Sequence, residues 1–312
     1  METKPTNDRF RMRGLLPATF TPLHADGSLN LGVVEPIVEH LIHDGITGLY
    51  VCGSTGEGVS LAREERMAAA EAFIAAARGR IPVVVQVGHN SIAEARLLAA
   101  HAQSAGAAAI SATPPSYFKP PTLAVLVDSM AEVAAAAPRL PFYYYHIPVM
   151  TGVTINVAAL LRAGGEKIPT LAGLKFSYSA VFDLQAAAGV EDGSYNLLFG
   201  SDEMLLSGLC AGAHGAVGTT YNFAAPLFNR IIAAYDACDL PAAQRLQAHA
   251  VEMINLILSY GGVGAFKAVM SFFDLDCGPV RLPLVSLSEA EQQALRQGLA
   301  AIGFFDWGRG AE

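Results

Sequence analysis

The strongest constraint on this chain is a two-part pattern that recurs from end to end. Short apolar runs alternate with longer stretches of helical periodicity. The runs begin with Leu15-Leu16-Pro17-Ala18-Thr19-Phe20, Leu49-Tyr50-Val51-Cys52, Pro82-Val83-Val84-Val85-Gln86-Val87 and Ala108-Ala109-Ile110-Ser111-Ala112. They continue with Phe142-Tyr143-Tyr144-Tyr145, Leu171-Ala172-Gly173-Leu174-Lys175-Phe176, Asn196-Leu197-Leu198-Phe199 and His214-Gly215-Ala216-Val217-Gly218. Helical patterns follow each run, as over 31–43, 63–78, 156–163 and 224–238. Ser91-x-x-Glu94 reads as a capping box, and Thr122 as a cap. Eight strand-then-helix units predict a closed parallel (β/α)8 TIM barrel. A doubly wound open sheet is the competing arrangement, but no Gly-rich dinucleotide fingerprint follows the first strand.

Beyond residue 240 the alternation stops. Helical patterns over 242–260 and 265–273, and another opening at Ser288-x-x-Glu291, predict a C-terminal helical extension, 241–312, packed on a barrel of 13–240. Residues 1–12 are polar and are expected to form a mobile tail, as are the last five or so.

The bulk numbers narrow the partners. A chain of 312 residues with 52% hydrophobic and 15% charged residues can bury a large core and has apolar surface to spare for an oligomer interface. A net charge of −8 argues against nucleic acid or an anionic membrane as the main partner. The four cysteines are widely spaced, with no CxxC and no Cys/His metal pattern, so no metal site is expected. Cys52 and Cys210 lie in apolar segments and are expected to be buried thiols. With no apolar signal core and no membrane-spanning apolar stretch, the expectation is a soluble, cytoplasmic protein.

Barrels of this kind carry their chemistry at the C-terminal ends of the strands. There the sixth strand holds a single charge, Lys175, inside an apolar run. Burial disfavours an ammonium, and a neutral amine attacks ketones to give a Schiff base. The alternative is a lysine paired with a carboxylate at the strand mouth. Lys4, Lys119 and Lys167 read as tail or loop. Lys267 lies in a helical segment where its stem can run along apolar surface with its head in water.

Other strand ends add polar groups. Gly53-Ser54-Thr55-Gly56-Glu57-Gly58 offers exposed amides for a carboxylate, with glycines allowing close approach. A plain tight turn is the bland alternative. Tyr145 can shuttle a proton, or be a core aromatic with a satisfied hydroxyl. His146 faces the other way and is expected to be structural or to support the site from behind. Asp202 and Glu203, after Gly200-Ser201, suit sugar hydroxyls. They equally suit the first turn of a helix capped by Ser201. Gly218-Thr219-Thr220 adds small and hydroxyl groups at the same end.

In this order, Gly53-Ser54-Thr55-Gly56-Glu57-Gly58, Tyr143-Tyr144-Tyr145-His146-Ile147-Pro148, Thr151-Gly152-Val153, Gly173-Leu174-Lys175-Phe176-Ser177 and Gly215-Ala216-Val217-Gly218-Thr219-Thr220-Tyr221-Asn222 resemble the pyruvate-dependent class I aldolases. These are the dihydrodipicolinate synthase and N-acetylneuraminate lyase superfamily. The resemblance runs over about 14–305, and the wording is that of the lyase branch. The synthase branch carries an arginine, for a second carboxylate, where this chain has Met150.

The resemblance implies a carbon–carbon lyase with no cofactor beyond a covalent lysine–pyruvate imine. Lys175 would form the imine with the C2 ketone, and Tyr145 would move the proton of the C4 hydroxyl. The Ser54 and Thr55 amides would hold the carboxylate. Thr55 would link Tyr145 to Tyr117, which reaches in from a neighbouring subunit. Ser177, Gly200, Asp202, Glu203 and Thr219 would hold the hydroxylated tail. It also implies a homotetramer, a dimer of dimers. Thr219 and Ser177 stand where relatives often have Ser and Thr, so specificity is less firmly implied than the reaction. The alternatives are an aldolase or dehydratase for another 2-keto-3-deoxy sugar acid, a synthase-like enzyme, or a non-enzymatic sugar-acid-binding barrel.

Overall fold

The computed structural model describes residues 9–308. Strand and helix alternate as the sequence pattern predicts. β1 (Gly14–Pro17) leads to α1 (Val34–His43), β2 (Leu49–Val51) to α2 (Arg63–Ala77), β3 (Val83–Gln86) to α3 (Ile92–Ser104) and β4 (Ala109–Ala112) to α4 (Leu123–Ala135). β5 (Phe142–His146) is followed by a single-turn α5 (Pro148–Thr151) and then α6 (Val157–Lys167). β6 (Leu171–Phe176) precedes α7 (Val181–Ala188), β7 (Asn196–Phe199) precedes α8 (Leu205–Cys210), and β8 (Gly215–Gly218) precedes α9 (Tyr221–Asp236). The extension adds α10 (Leu240–Ser259), α11 (Val263–Val269), α12 (Glu289–Ala301) and α13 (Phe304–Trp307).

The eight strands are parallel, in the order β1-β8-β7-β6-β5-β4-β3-β2. The seam between β1 and β2 carries one parallel bridge, Ala18 to Tyr50, with Thr19 N donating to Tyr50 O at 3.0 Å. The strands are short and almost wholly buried, because side chains on one face fill the barrel and those on the other meet the helices. Leu16, Tyr50, Val84, Tyr143, Tyr145, Ala172 and Val217 belong to the inner cluster. Leu15, Leu49, Val85, Tyr144, Leu174 and Phe176 belong to the outer layer.

One irregularity matters for function. Between β5 and β6, Phe142 pairs with Leu171 but Tyr143 pairs with Gly173, so β6 holds one extra residue at a bulge. Strict alternation from Leu171 outward would place residue 172 inside, 173 outside, 174 inside and 175 outside. Instead Ala172 is inside and Leu174 outside. The bulge resets the phase, so Lys175 turns inward. Gly173 makes it possible, since a Cβ there would lie 1.8 Å from Asn196 O.

Helix starts follow local chemistry. Thr122 Oγ1 accepts from Val125 N, Asn156 Oδ1 from Ala159 N, and Ser288 with Glu291 forms a reciprocal box. The Ser91 box is only half formed. Ser91 Oγ accepts from Glu94 N, but Ser91 N donates to His89 Nδ1 and the Glu94 carboxylate pairs with Arg63 at 3.1 Å. α6 runs on past residue 163, because Gly164 faces Leu171 within the helix, and Lys167 therefore ends a helix and pairs with Asp128.

The expected mobile tail needs correcting over 9–12; residues 1–8 lie outside the described residues, as do 309–312. Met12 is buried, and its N and O both bond the Asn196 side chain, at 2.9 and 3.0 Å. Arg9 pairs with Glu191 at 2.9 Å and stacks on Tyr195. This segment closes the N-terminal end of the barrel. Cys52 is buried as expected, but Cys210 is exposed, because it lies at the outward-facing C-terminus of α8. No single described helix is long and apolar enough to cross a membrane.

Candidate active site

The C-terminal strand ends surround a cavity of about 190 Å³. Ser54, Thr55, Tyr145, Lys175, Ser177, Gly200, Asp202, Glu203 and Thr219 all line it. A cleft of about 790 Å³ lies against α4 and the 167–170 turn, so size does not single out the site. The ionic groups of that cleft are paired with one another or with surface arginine, as in Lys167 with Asp128 and Glu132 with Arg96.

Lys175 is buried, and among the described residues it forms no ion pair, so the carboxylate-paired alternative is not what the fold builds. Its Nζ lies 4.2 Å from the Tyr50 ring centroid and 4.1 Å from that of Tyr145. The two rings meet edge to face at 5.9 Å. Tyr145 is the register partner of Lys175 in the β5–β6 pair, and its hydroxyl has no protein partner among the described residues. Tyr50 was not singled out from the sequence. It sits one layer down, donates to Ser111 Oγ at 3.1 Å, and burial pushes its phenol well above the ordinary range.

The turn after β2 carries Ser54 and Thr55 at the cavity wall, and no described protein group accepts from either amide. Its glycines serve the chain itself more than a ligand: a Cβ on Gly58 would lie 1.9 Å from Cys52 O. Within one chain the Thr55 hydroxyl pairs with Thr219. Its Oγ1 is 2.6 Å from Thr219 Oγ1, across the mouth just past the end of β8. Tyr117 lies outside the cavity of its own chain, 78% exposed, with its ring edge-on to Phe118.

Asp202 is less free than the sequence implied. Its Oδ2 accepts from Thr220 N at 2.8 Å and Thr220 Oγ1 at 2.7 Å. Burial raises its carboxyl above the usual range, against the pull of those donors and of Lys175. Burial, and then Asp202 itself, raises Glu203. Ser201 makes no side-chain cap on the turn that follows it. Ser177 Oγ is buried with no protein partner.

His146 is structural, as expected: it stacks on Phe176 at 5.4 Å, neither ring nitrogen has a partner, and burial pushes it down to about 4. Lys267 departs from expectation. Its head is buried, 2.9 Å from Glu57 Oε1, because the extension closes over the β2 turn. Burial lowers its ammonium, while Glu57 opposes the shift. A charged residue in an apolar helix was the only signal, and its partner lay 210 residues away. No group of His, Cys, Asp and Glu that could hold a metal occurs among the described residues.

Comparison with known proteins finds relatives along nearly the whole chain. N-acetylneuraminate lyase A of Xenopus laevis is 41% identical over 280 residues, 88% of this chain and 92% of that protein. The solved N-acetylneuraminate lyase of Aliivibrio salmonicida superposes with a TM-score of 0.92 at 38% identity, covering 95% of this chain and 98% of that one. A Ruminococcus gnavus sialic acid aldolase, described as a catalytic lysine mutant, superposes with a TM-score of 0.89 at 28% identity, covering 94% and 98%. The dihydrodipicolinate synthetase family model matches residues 11–302. The chain belongs to the dihydrodipicolinate synthetase family.

Proposed function

We propose that this chain is an N-acetylneuraminate lyase. It cleaves sialic acid reversibly to pyruvate and N-acetylmannosamine through an imine on Lys175. The observation that carries this reading is a buried lysine without a counter-ion, beside a tyrosine with a free hydroxyl, in one cavity with the carboxylate-sized turn of Ser54 and Thr55. The relatives named above, one described by its catalytic lysine, support it.

In this mechanism the free base of Lys175 attacks the C2 ketone carbon, and the Tyr145 hydroxyl gives its proton to the departing water, leaving a protonated imine and a phenolate. The substrate carboxylate rests on the Ser54 and Thr55 amides. The proton of the C4 hydroxyl passes to the Tyr145 oxygen by way of that carboxylate. The C3–C4 bond breaks, its electron pair enters the imine as an enamine, and the aldehyde of N-acetylmannosamine departs. Protonation at C3 and hydrolysis release pyruvate and restore the amine. No separate cofactor takes part. Ser177, Glu203 and Thr219 hold the polyol tail, and Asp202 orients it while tied to Thr220. Met150, 67% exposed, offers nothing to a second carboxylate, which favours the lyase over a synthase.

We further propose that the protein works as a homotetramer in the cytoplasm. Tyr117, Phe118, Val149 and Met150 form exposed apolar surface around the mouth, suited to a neighbouring subunit that receives Tyr117. The deciding experiment is borohydride trapping with pyruvate, followed by peptide mass analysis. The label belongs on Lys175, and pyruvate release should be fastest from N-acetylneuraminate among a panel of 2-keto-3-deoxy sugar acids. No label on Lys175, or turnover confined to other sugar acids, overturns the reading.

A further inference from the structure

The mechanism uses the amides of Ser54 and Thr55 but leaves open what holds them in place. Glu57, in the same turn, is buried in the left-handed backbone region, φ 57° and ψ 26°, which is unfavourable for a residue with a Cβ. Both carboxylate oxygens are engaged. Oε1 accepts from Lys267 Nζ at 2.9 Å and Oε2 from Arg281 N at 2.7 Å. Lys267 Nζ also donates to Pro279 O at 2.6 Å. All these partners belong to the C-terminal extension. The Arg281 side chain in turn fixes that loop to the barrel, through two 2.6 Å bonds to Glu65 and others to Gly27 O.

A buried ion pair is a poor source of stability, since desolvation offsets much of the attraction. What it imposes is a single geometry. Glu57 N donates to Ser54 O at 3.1 Å, and Gly58 N to Gly53 O at 3.0 Å. Gly53 O shares a peptide plane with Ser54 N, and Ser54 O with Thr55 N, so fixing Glu57 fixes the two planes that carry the free amides. We propose that the Glu57–Lys267 pair is a positioning device through which the C-terminal extension shapes the turn that grips the keto acid carboxylate. Affinity for the keto acid depends on the pair more than bond breaking does. This rests on the reading that Ser54 and Thr55 hold the carboxylate. Neither residue lines the cavity, so neither is catalytic.

The test measures the pyruvate concentration that half-saturates borohydride trapping on Lys175, beside the melting temperature, in Glu57→Gln, Lys267→Met and the double variant. Each single change strands a buried polar group and should lower the melting temperature. The double variant removes both charges and should recover much of it. Its half-saturating pyruvate should still rise about tenfold, with kcat for sialic acid cleavage within about threefold of wild type. Arg281→Gln loosens the same loop from the surface, guards against a misfolded double variant, and should shift half-saturation the same way. Wild-type half-saturation in the folded double variant, or in Arg281→Gln if the double does not fold, overturns the proposal. Failure of the underlying reading looks different: wild-type protein itself takes no label.

Discussion

Tyr145 and Lys175 are direct register partners across the β5–β6 pair, with the lysine Nζ 4.1 Å from the tyrosine ring centroid. Adjacent positions on parallel strands point to the same side of the sheet. The pairing therefore places a nucleophile and a proton carrier side by side on rigid backbone, with no loop between them.

Replacing Lys175 by Ala should abolish cleavage while the barrel stays folded. The strand hydrogen bonds are main-chain, and no ion pair is broken. Circular dichroism and pyruvate release check this together. A folded variant with wild-type turnover would remove the lysine from the mechanism.

Tyr145→Phe keeps the ring beside Tyr50 and removes only the hydroxyl. Loss of a general acid–base group costs about 10²–10⁴-fold, so kcat should fall within that range. Borohydride trapping of pyruvate should survive better than cleavage of sialic acid, because the carboxylate turn is untouched.

The Thr55–Thr219 hydroxyl contact predicts a milder effect. Thr219→Val keeps the shape and leaves Thr55 Oγ1 without its 2.6 Å partner. A lost neutral hydrogen bond is worth about 1 kcal/mol, or roughly fivefold. The KM for N-acetylneuraminate should rise by about that factor, and pyruvate trapping should change less.

His146 makes stability depend on pH. Burial holds its folded value near 4, against an ordinary value of 6.5. Between those values the unfolded chain binds the extra proton, so stability is whole above about pH 6.5 and falls as pH drops towards 4. The loss reaches on the order of 3 kcal/mol by pH 4. Denaturant unfolding of His146→Phe, set against wild type from pH 7 to 4, should show that portion of the slope removed. Equal slopes would refute the assignment.

The barrel was legible in the sequence because each strand is a short apolar run with both faces buried, a signal that needs no long-range information. The candidate site was legible where a polar residue stood within or just after such a run, as with Lys175, Tyr145 and Asp202. Two kinds of feature escaped. Tyr50 looks like any core aromatic until the closed barrel brings it beneath Lys175. The Glu57–Lys267 pair joins residues 210 positions apart, so neither member hints at the other. The Thr55–Thr219 contact escapes as well, because spacing cannot show which hydroxyl lies across a barrel mouth. The tail over 9–12 reads as mobile on polarity alone. The arginine stacked on Tyr195 and the Asn196 amide that hold it there are contributions of tertiary structure.

The extra residue in β6 carries a consequence for how such an enzyme can be lost. Straightening the bulge with every residue kept, as a Cβ at residue 173 would press the strand to do, would leave every reacting group in the chain, yet rotate the amine out of the barrel and bring Leu174 in. The catalyst would be silenced by parity alone. A survey for missing active-site residues would pass over the defect, because the alphabet of the site is intact and only its phase along the strand is wrong.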